Sequence, residues 1–273
     1  MQRNIVFFSH SLGQLKTGVS KNFKHIKPLL SSKNNIHNVS CTNNLFNNLK
    51  DLYKINSNID KKHPVINIGG DHSMSIATVA SSLNKYKDLK VIWIDAHADI
   101  NTYNSSSTKN YHGMPLSYLT SLDHNNKFDF INNKLPFSNL LYIGVRDLDY
   151  AEKKFIDKYN IKLLTVENIR NEFHKSIDTI HDFIDESPVH LSIDVDALDP
   201  CFMPSTGTPV KNGLYLSEIQ QMIAELYKHN VINVDIAELN LEDYSNKQNE
   251  LSLHNFLDIL TSISSKQNVG YSI

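Results

Sequence analysis

Three short segments of this chain carry acids and histidines in patterns that could hold metal: Gly69-Gly70-Asp71-His72-Ser73, Asp95-Ala96-His97-Ala98-Asp99 and Asp194-Val195-Asp196. In an extended chain, residues i, i+2 and i+4 point to one side. On that reading Asp95, His97 and Asp99 share a side, with Ala96 and Ala98 leaving room between them, and Asp194 and Asp196 do the same. Carboxylates packed this closely repel unless a cation lies among them. No Lys or Arg occurs within residues 93–99 or 190–199 to supply that charge. A lone Asp at such a place is ordinarily a helix N-cap or a turn residue, and Asp71 is read that way. Three clusters together point to metal.

The donor types narrow the choice. Four carboxylates (Asp95, Asp99, Asp194, Asp196) and two imidazoles (His72, His97) form an oxygen-rich set without thiolate. Such a set suits Mn²⁺, with Fe²⁺, Co²⁺ or Ni²⁺ possible. Six ligands are too many for one ion with open positions and natural for two ions sharing carboxylates. Two cations lower the pKa of a water between them, which supplies a hydroxide nucleophile at neutral pH. The residues therefore read as a binuclear metallohydrolase.

Each cluster follows a short apolar run rich in β-branched residues. These runs lie at 65–68, 91–94 and 190–193, with others at 5–8, 140–143 and 231–234. Helical patterns lie between them, at 73–86, 150–159, 177–184 and 216–229. Continuous apolar strands alternating with helices indicate a parallel sheet covered on both faces. In such folds ligands bind beyond the carboxyl ends of the strands, where these clusters fall. Loops at 100–112, 123–138 and 241–250 read as long, and long loops are often functional. Paired asparagines (Asn34-Asn35, Asn43-Asn44, Asn47-Asn48, Asn125-Asn126, Asn132-Asn133) read as loop surface.

The 273 residues leave no clear linker and read as a single domain over 1–273. With 27 Lys and Arg against 29 Asp and Glu, there is no basic excess to attract nucleic acid. No phosphate-binding glycine motif is present. No apolar run reaches the roughly 18 residues that a membrane helix needs, and no targeting segment is visible. The cysteines, Cys41 and Cys201, share no CxxC spacing, so a cytoplasmic, reducing compartment is expected.

The motifs Gly69-Gly-Asp-His72-Ser, Asp95-Ala-His97-Ala-Asp99-Ile-Asn101-Thr, His112-Gly-Met-Pro115, Ser192-Ile-Asp194-Val-Asp196-Ala-Leu-Asp-Pro200 and Thr206-Gly-Thr-Pro209 resemble the arginase (ureohydrolase) family, and in the family's order. The stretch around Gly13 and Gly18 is similar but weaker. The resemblance implies an α/β fold: a single three-layer α/β/α domain with a mainly parallel sheet of about eight strands. It also implies two manganese ions. His72 and Asp99 would serve one ion, His97 and Asp196 the other, and Asp95 and Asp194 both.

The resemblance further implies hydrolysis of L-arginine to L-ornithine and urea by a metal-bridging hydroxide. Asn101, Thr108 and Asn110 would hold the substrate carboxylate, although a Ser/Asn-rich loop also reads as an ordinary surface turn. Lys109 stands where a glycine is common in the family. Asp149, with Glu152 nearby, would hold the α-amino group, although acids also favour a helix N-terminus. Glu238 would accept paired N–H bonds from the guanidinium, with the Thr208 hydroxyl near it. His112 would shuttle protons, and Asp99 would protonate the leaving amine. His10, His63, His124, His174 and His254 read as structural or solvated. A homo-oligomer, trimer or hexamer, is implied, although Ser217 replaces an arginine common before the acid matching Glu218. The alternatives are agmatinase or another guanidine or amidine ureohydrolase, and a catalytically silent binding protein of the same fold.

Overall fold

The computed structural model describes residues 3–30, 32–124 and 127–265. Among them, eight strands form one sheet: β1 (Asn4–Phe8), β2 (Asn35–Asn38), β3 (Val65–Gly69), β4 (Lys90–Ile94), β5 (Leu140–Ile143), β6 (Lys162–Leu164), β7 (Val189–Asp194) and β8 (Val231–Ala237). Their order is β2-β1-β3-β8-β7-β4-β5-β6. Every neighbouring pair is parallel. The helices are α1 (Phe23–Ile26), α2 (Leu45–Asn58), α3 (Ser75–Lys85), α4 (Pro115–Leu119), α5 (Tyr150–Tyr159), α6 (Val166–Asn171), α7 (Phe173–Ile184), α8 (Leu216–Leu226) and α9 (Asn246–Ser265). No helix among the described residues is long and apolar enough to cross a membrane.

Strand alternation explains the three layers. Ile5, Phe7, Ile66, Ile68, Ile92, Ile94, Leu191 and Ile193 enter one core, which α6, α7, α8 and α9 cover. Val6, Phe8, Val65, Val91, Trp93 and Tyr142 enter the opposite core, beneath α2, α3, α4 and α5. Both sheet faces are buried, so the strands need apolar side chains at nearly every position, and period-2 polarity is lost.

The edge strands β2 and β6 escaped the sequence reading. They are short, and β2 has no buried residue. Helix α2 was also missed. Asn44 caps it by accepting from the Asn47 backbone N–H, and Asn48 is buried on its inner face, against the expectation that the asparagine pairs mark loop surface. Asn125-Asn126 lies outside the described residues. The loop expected at 241–250 is shorter, because α9 begins at Asn246.

The topology brings the sequence motifs together. β3, β8, β7 and β4 are consecutive in the sheet, although the chain visits β3 and β4 first. Ile94 is level with Ile193, and Asp194 with Ala237. Their carboxyl ends therefore present His72, Glu238, Asp194 and Asp95 side by side, at a switch in strand order of the kind that binds ligands.

Candidate metal centre and substrate cleft

The acids converge, but not by strand alternation. β4 ends at Ile94, and residues 95–99 turn instead of extending. Asp95 Oδ1 accepts the His97 backbone N–H at 2.7 Å, and Asp99 sits at φ +49°. Asp194 Oδ1 likewise accepts the Asp196 backbone N–H at 2.8 Å, in a 3-10 turn at Val195–Ala197. Asp side chains readily make such turns with the backbone two residues on. Here they aim the next donor of each motif at the same centre.

Two donor groups result: His72 with Asp95 and Asp194, and Asp95 with His97 and Asp196. Asp95 belongs to both. Asp194 belongs to the first group, and Asp99 joins that side, its Oδ2 3.1 Å from His72 Nδ1. Oxygens of Asp95 and Asp194 lie 3.1 and 3.3 Å from the same nitrogen. Nevertheless His72 Nδ1 has no partner in hydrogen-bonding geometry. A buried nitrogen facing three carboxylate oxygens, none aligned to it, fits a shared cation. His72 is held from behind, stacked on Trp93, and its Nε2 is 2.9 Å from Ser192 Oγ. The Trp93 indole N–H donates to Asp95 Oδ2 at 2.9 Å.

The electrostatics tell the same story. Burial and the charges of Asp196 and Asp95 push the Asp194 carboxyl well up. Burial and Asp95 push Asp99 up to about 6. Burial pulls the His72 imidazole down, but the carboxylates of Asp194, Asp95 and Asp99 overcome it and raise it well above its ordinary value. Without a cation, the imidazoles are driven to carry the positive charge. Arg146 does not relieve this. Its guanidinium donates to the backbone carbonyls of Asp196, Val210 and Gly144 rather than to a carboxylate.

Glu238 leaves β8 in a left-handed conformation, φ +68°, which is sterically costly for a residue with a Cβ. Its carboxylate is nevertheless well held. Oε1 accepts the His72 backbone N–H at 2.8 Å and faces His112 Nδ1 at 3.2 Å. Oε2 accepts from Gln14 Nε2 at 2.6 Å. A Cβ on Gly207 would sit 2.6 Å from Glu238 Oε2, so a side chain there would have to displace the carboxylate. The carboxylate in turn outweighs burial to raise the His112 imidazole to about 9.

A cavity of about 340 Å³ opens over this centre, lined by His97, Asp99, Asn101, Thr108, His112, Asp149, Glu152, Asp194 and Thr208, together with Ser107 and Asp147. Asn101 Nδ2 donates to Asp149 Oδ2 at 2.8 Å. Asp149 Oδ1 caps α5, accepting from Ala151 and Glu152 N–H, and Glu152 Oε2 reciprocates to the Asp149 N–H. Asp149 thus caps α5 and also lines the cavity. Burial, with Asp99 and Asp149 nearby, raises the Glu152 carboxyl to about 8. Lys109 adopts φ +62°, keeping a glycine-like turn between Thr108 and Asn110.

Some positions differ from expectation. The Thr208 hydroxyl does not serve Glu238. It donates to Asp196 Oδ2 at 2.9 Å, because the loop after β7 folds back over the acids. Asn110 and Glu238 lie outside the cavity lining. The Asn110 backbone N–H donates to Thr108 Oγ1 at 3.3 Å, and Glu238 Oε1 faces His112 Nδ1 at 3.2 Å. Sequence reasoning missed Gln14, Ser107, Asp147, Trp93 and Ser192. For Trp93 and Ser192 the available signal was a polar atom within an otherwise apolar strand. His63, His124, His174 and His254 are exposed, whereas His10 is buried beside Asp71, 3.5 Å from Nδ1 to Oδ2. Asp71 caps the turn at His72–Met74, as its lone position suggested.

The model of the family described as "Arginase family" matches residues 15–256. The chain belongs to the arginase family. The arginase-family match takes in all six candidate metal ligands and the whole cleft. The chain is 38% identical over 201 residues to an arginase of Neurospora crassa, covering 68% of this chain and 56% of that protein. It is 38% identical over 209 residues to an arginase of Plasmodium falciparum, covering 70% and 49%. The chain thus spans about half the length of the curated relatives it matches. Among solved structures, the Entamoeba histolytica arginase in complex with L-ornithine superimposes with a TM-score of 0.88 at 26% identity, covering 97% of this chain and 99% of that one.

Proposed function

We propose that the chain hydrolyses L-arginine to L-ornithine and urea, using two manganese ions held by His72, Asp95, His97, Asp99, Asp194 and Asp196. The observation that carries this reading is the pair of donor groups sharing Asp95, with His72 Nδ1 unpartnered among three carboxylates. The oxygen-rich donors without thiolate favour manganese, with Fe²⁺, Co²⁺ and Ni²⁺ suited to the same set. When bound, the ions supply an activated water for attack on the guanidinium carbon.

The protein groups do the rest. Asn101, Thr108 and Asn110 bind the α-carboxylate, and Asp149, supported by Glu152, binds the α-amino group. Glu238 accepts guanidinium N–H bonds once His112 swings off Oε1, turning the central carbon toward the centre, a proximity effect. Thr208 steadies Asp196. A proton on the Asp99 carboxyl passes to the leaving amine nitrogen, and His112 exchanges protons with solvent. Arginine and one water thereby become ornithine and urea.

Residues 1–273 act as one catalytic domain in this reading. The free, exposed Cys41 and Cys201 support a reducing, cytoplasmic setting. A trimer or hexamer is expected, to be checked by light scattering. The deciding assay is urea release from arginine, agmatine and guanidinobutyrate, each with added Mn²⁺. Arginine is expected to be preferred. Preference for either other compound would reassign the substrate, and no urea from any would leave a silent binding protein.

A further inference from the structure

Beneath the acidic centre, a column of polar side chains crosses the core between α3 and the central strands. Asn67, His190, Ser192 and Asp235 come from the sheet, and Ser75 and Thr78 from α3; all are fully buried. A carboxylate there costs several kcal/mol to desolvate, where apolar packing would serve stability. None of the proposed chemistry uses it.

The hydrogen bonds have a direction. Asp235 Oδ1 accepts from Asn67 Nδ2 at 2.9 Å. Asp235 Oδ2 accepts from Ser75 Oγ at 2.8 Å and Thr78 Oγ1 at 2.5 Å, and pairs with His190 Nε2 at 3.0 Å. Burial raises this carboxyl, but His190 and the two hydroxyls more than offset it, so the group stays ionised. An ionised carboxylate only accepts, so the Ser75 hydroxyl proton is committed to Asp235. Ser192 Oγ lies 3.2 Å from Ser75 Oγ and must therefore be the donor of that pair. With its proton spent, Ser192 can only accept from His72 Nε2, at 2.9 Å. The neutral His72 ring then carries its proton on Nε2 and presents the Nδ1 lone pair to the acidic centre, as a metal ligand must.

We propose that Asp235 is a positioning residue that sets the His72 tautomer through Ser75 and Ser192, and so the centre's hold on its metal. This rests on the two-metal reading. The test challenges manganese-loaded protein with graded EDTA and measures retained manganese by atomic absorption, with melting temperature alongside. Asp235→Asn, which presents an N–H₂ where acceptors are needed, should give up manganese at roughly 10- to 100-fold lower EDTA. Ser75→Ala should do the same. It cuts the relay and leaves Asp235 its other donors, so it decides the matter if Asp235→Asn does not fold. Ser75→Thr, which keeps the hydroxyl, should restore retention. Ser82→Ala touches His190 and Asn233 but not the relay, and should retain manganese like wild type even where it melts lower. Wild-type retention in Ser75→Ala overturns the proposal. So does equal loss in Ser82→Ala, which would mean general loosening of the core. A wild-type chain that holds no manganese overturns this proposal and the two-metal reading together.

Discussion

Two buried polar centres adjoin along β7, one within the sheet and one beyond the strand ends, and they are built on opposite principles. Around Asp235, one carboxylate meets four partners, and both of its oxygens are satisfied. At the strand ends, four carboxylates meet two imidazoles, and His72 Nδ1 is left without a partner. His72, Asp95 and Asp196 are as deeply buried as Asp235. Burial of acids therefore does not by itself mark a binding site. The mark is a charge that the protein leaves unbalanced, because a buried group remains unsatisfied only where something else satisfies it. Backbone strain follows the same division. Asp99 and Glu238, both at the strand-end centre, hold left-handed conformations, and no residue of the Asp235 column does.

Breaking the unbalanced centre should have the largest effect. Asp194→Ala removes one of the oxygens facing His72. It should abolish metal binding near two ions per chain together with nearly all urea release. Elemental analysis and the urea assay check this, and two tightly held ions with normal turnover would refute the assignment. Breaking the balanced centre should appear in stability as well as in metal retention. Asp235→Ala strips the acceptor from Asn67, Ser75, Thr78 and His190 and should destabilise the fold by about 3–5 kcal/mol in denaturant unfolding. A loss below about 1 kcal/mol would mean that the column relaxes and is not matched as described.

The cleft rim should respond more mildly. Asp149→Ala removes one charge-assisted bond to an α-amino group and should cost roughly 1.5–3 kcal/mol, about ten- to a hundredfold in kcat/KM. Arginine and agmatine, which both carry the amine, should suffer far more than guanidinobutyrate, which lacks it; equal losses in all three would place the amine elsewhere. The smallest effect belongs to Thr108→Val at the exposed lip, which keeps the shape and deletes the hydroxyl. About 1 kcal/mol in arginine kcat/KM is expected, with agmatine spared. A change in metal content in this variant would show that the rim and the centre are coupled.

The unbalanced centre was readable in the sequence and the balanced one was not. Asp95, His97, Asp99, Asp194 and Asp196 stand in tight local patterns at the ends of apolar runs, so both their type and their place are visible. Extended-strand alternation does not account for their convergence; the geometry comes from side-chain-to-backbone turns at Asp95 and Asp194. His190, Ser192, Asn233 and Asp235 are single polar residues inside strands, and Ser75, Thr78 and Ser82 are spaced by three and four along α3. That helical stripe was present in the sequence. Its meaning depends on which strands lie beneath α3, and the order of the chain does not announce that β3 neighbours β8.

The sequence by itself determined the α/β layering, the strand-end location of the chemistry and its donor types. These depend on residue type and on spacing over a few positions, where the geometry of the backbone leaves little choice. Only the tertiary structure decided that Thr208 serves Asp196, that Gln14 and His112 both grip Glu238, and that Asp235 reaches His72 through two hydroxyls. Each of these joins residues brought together by strand order and loop packing. A hydrogen bond is satisfied within about 3 Å whatever the sequence separation, so its partners become known only once the chain is folded.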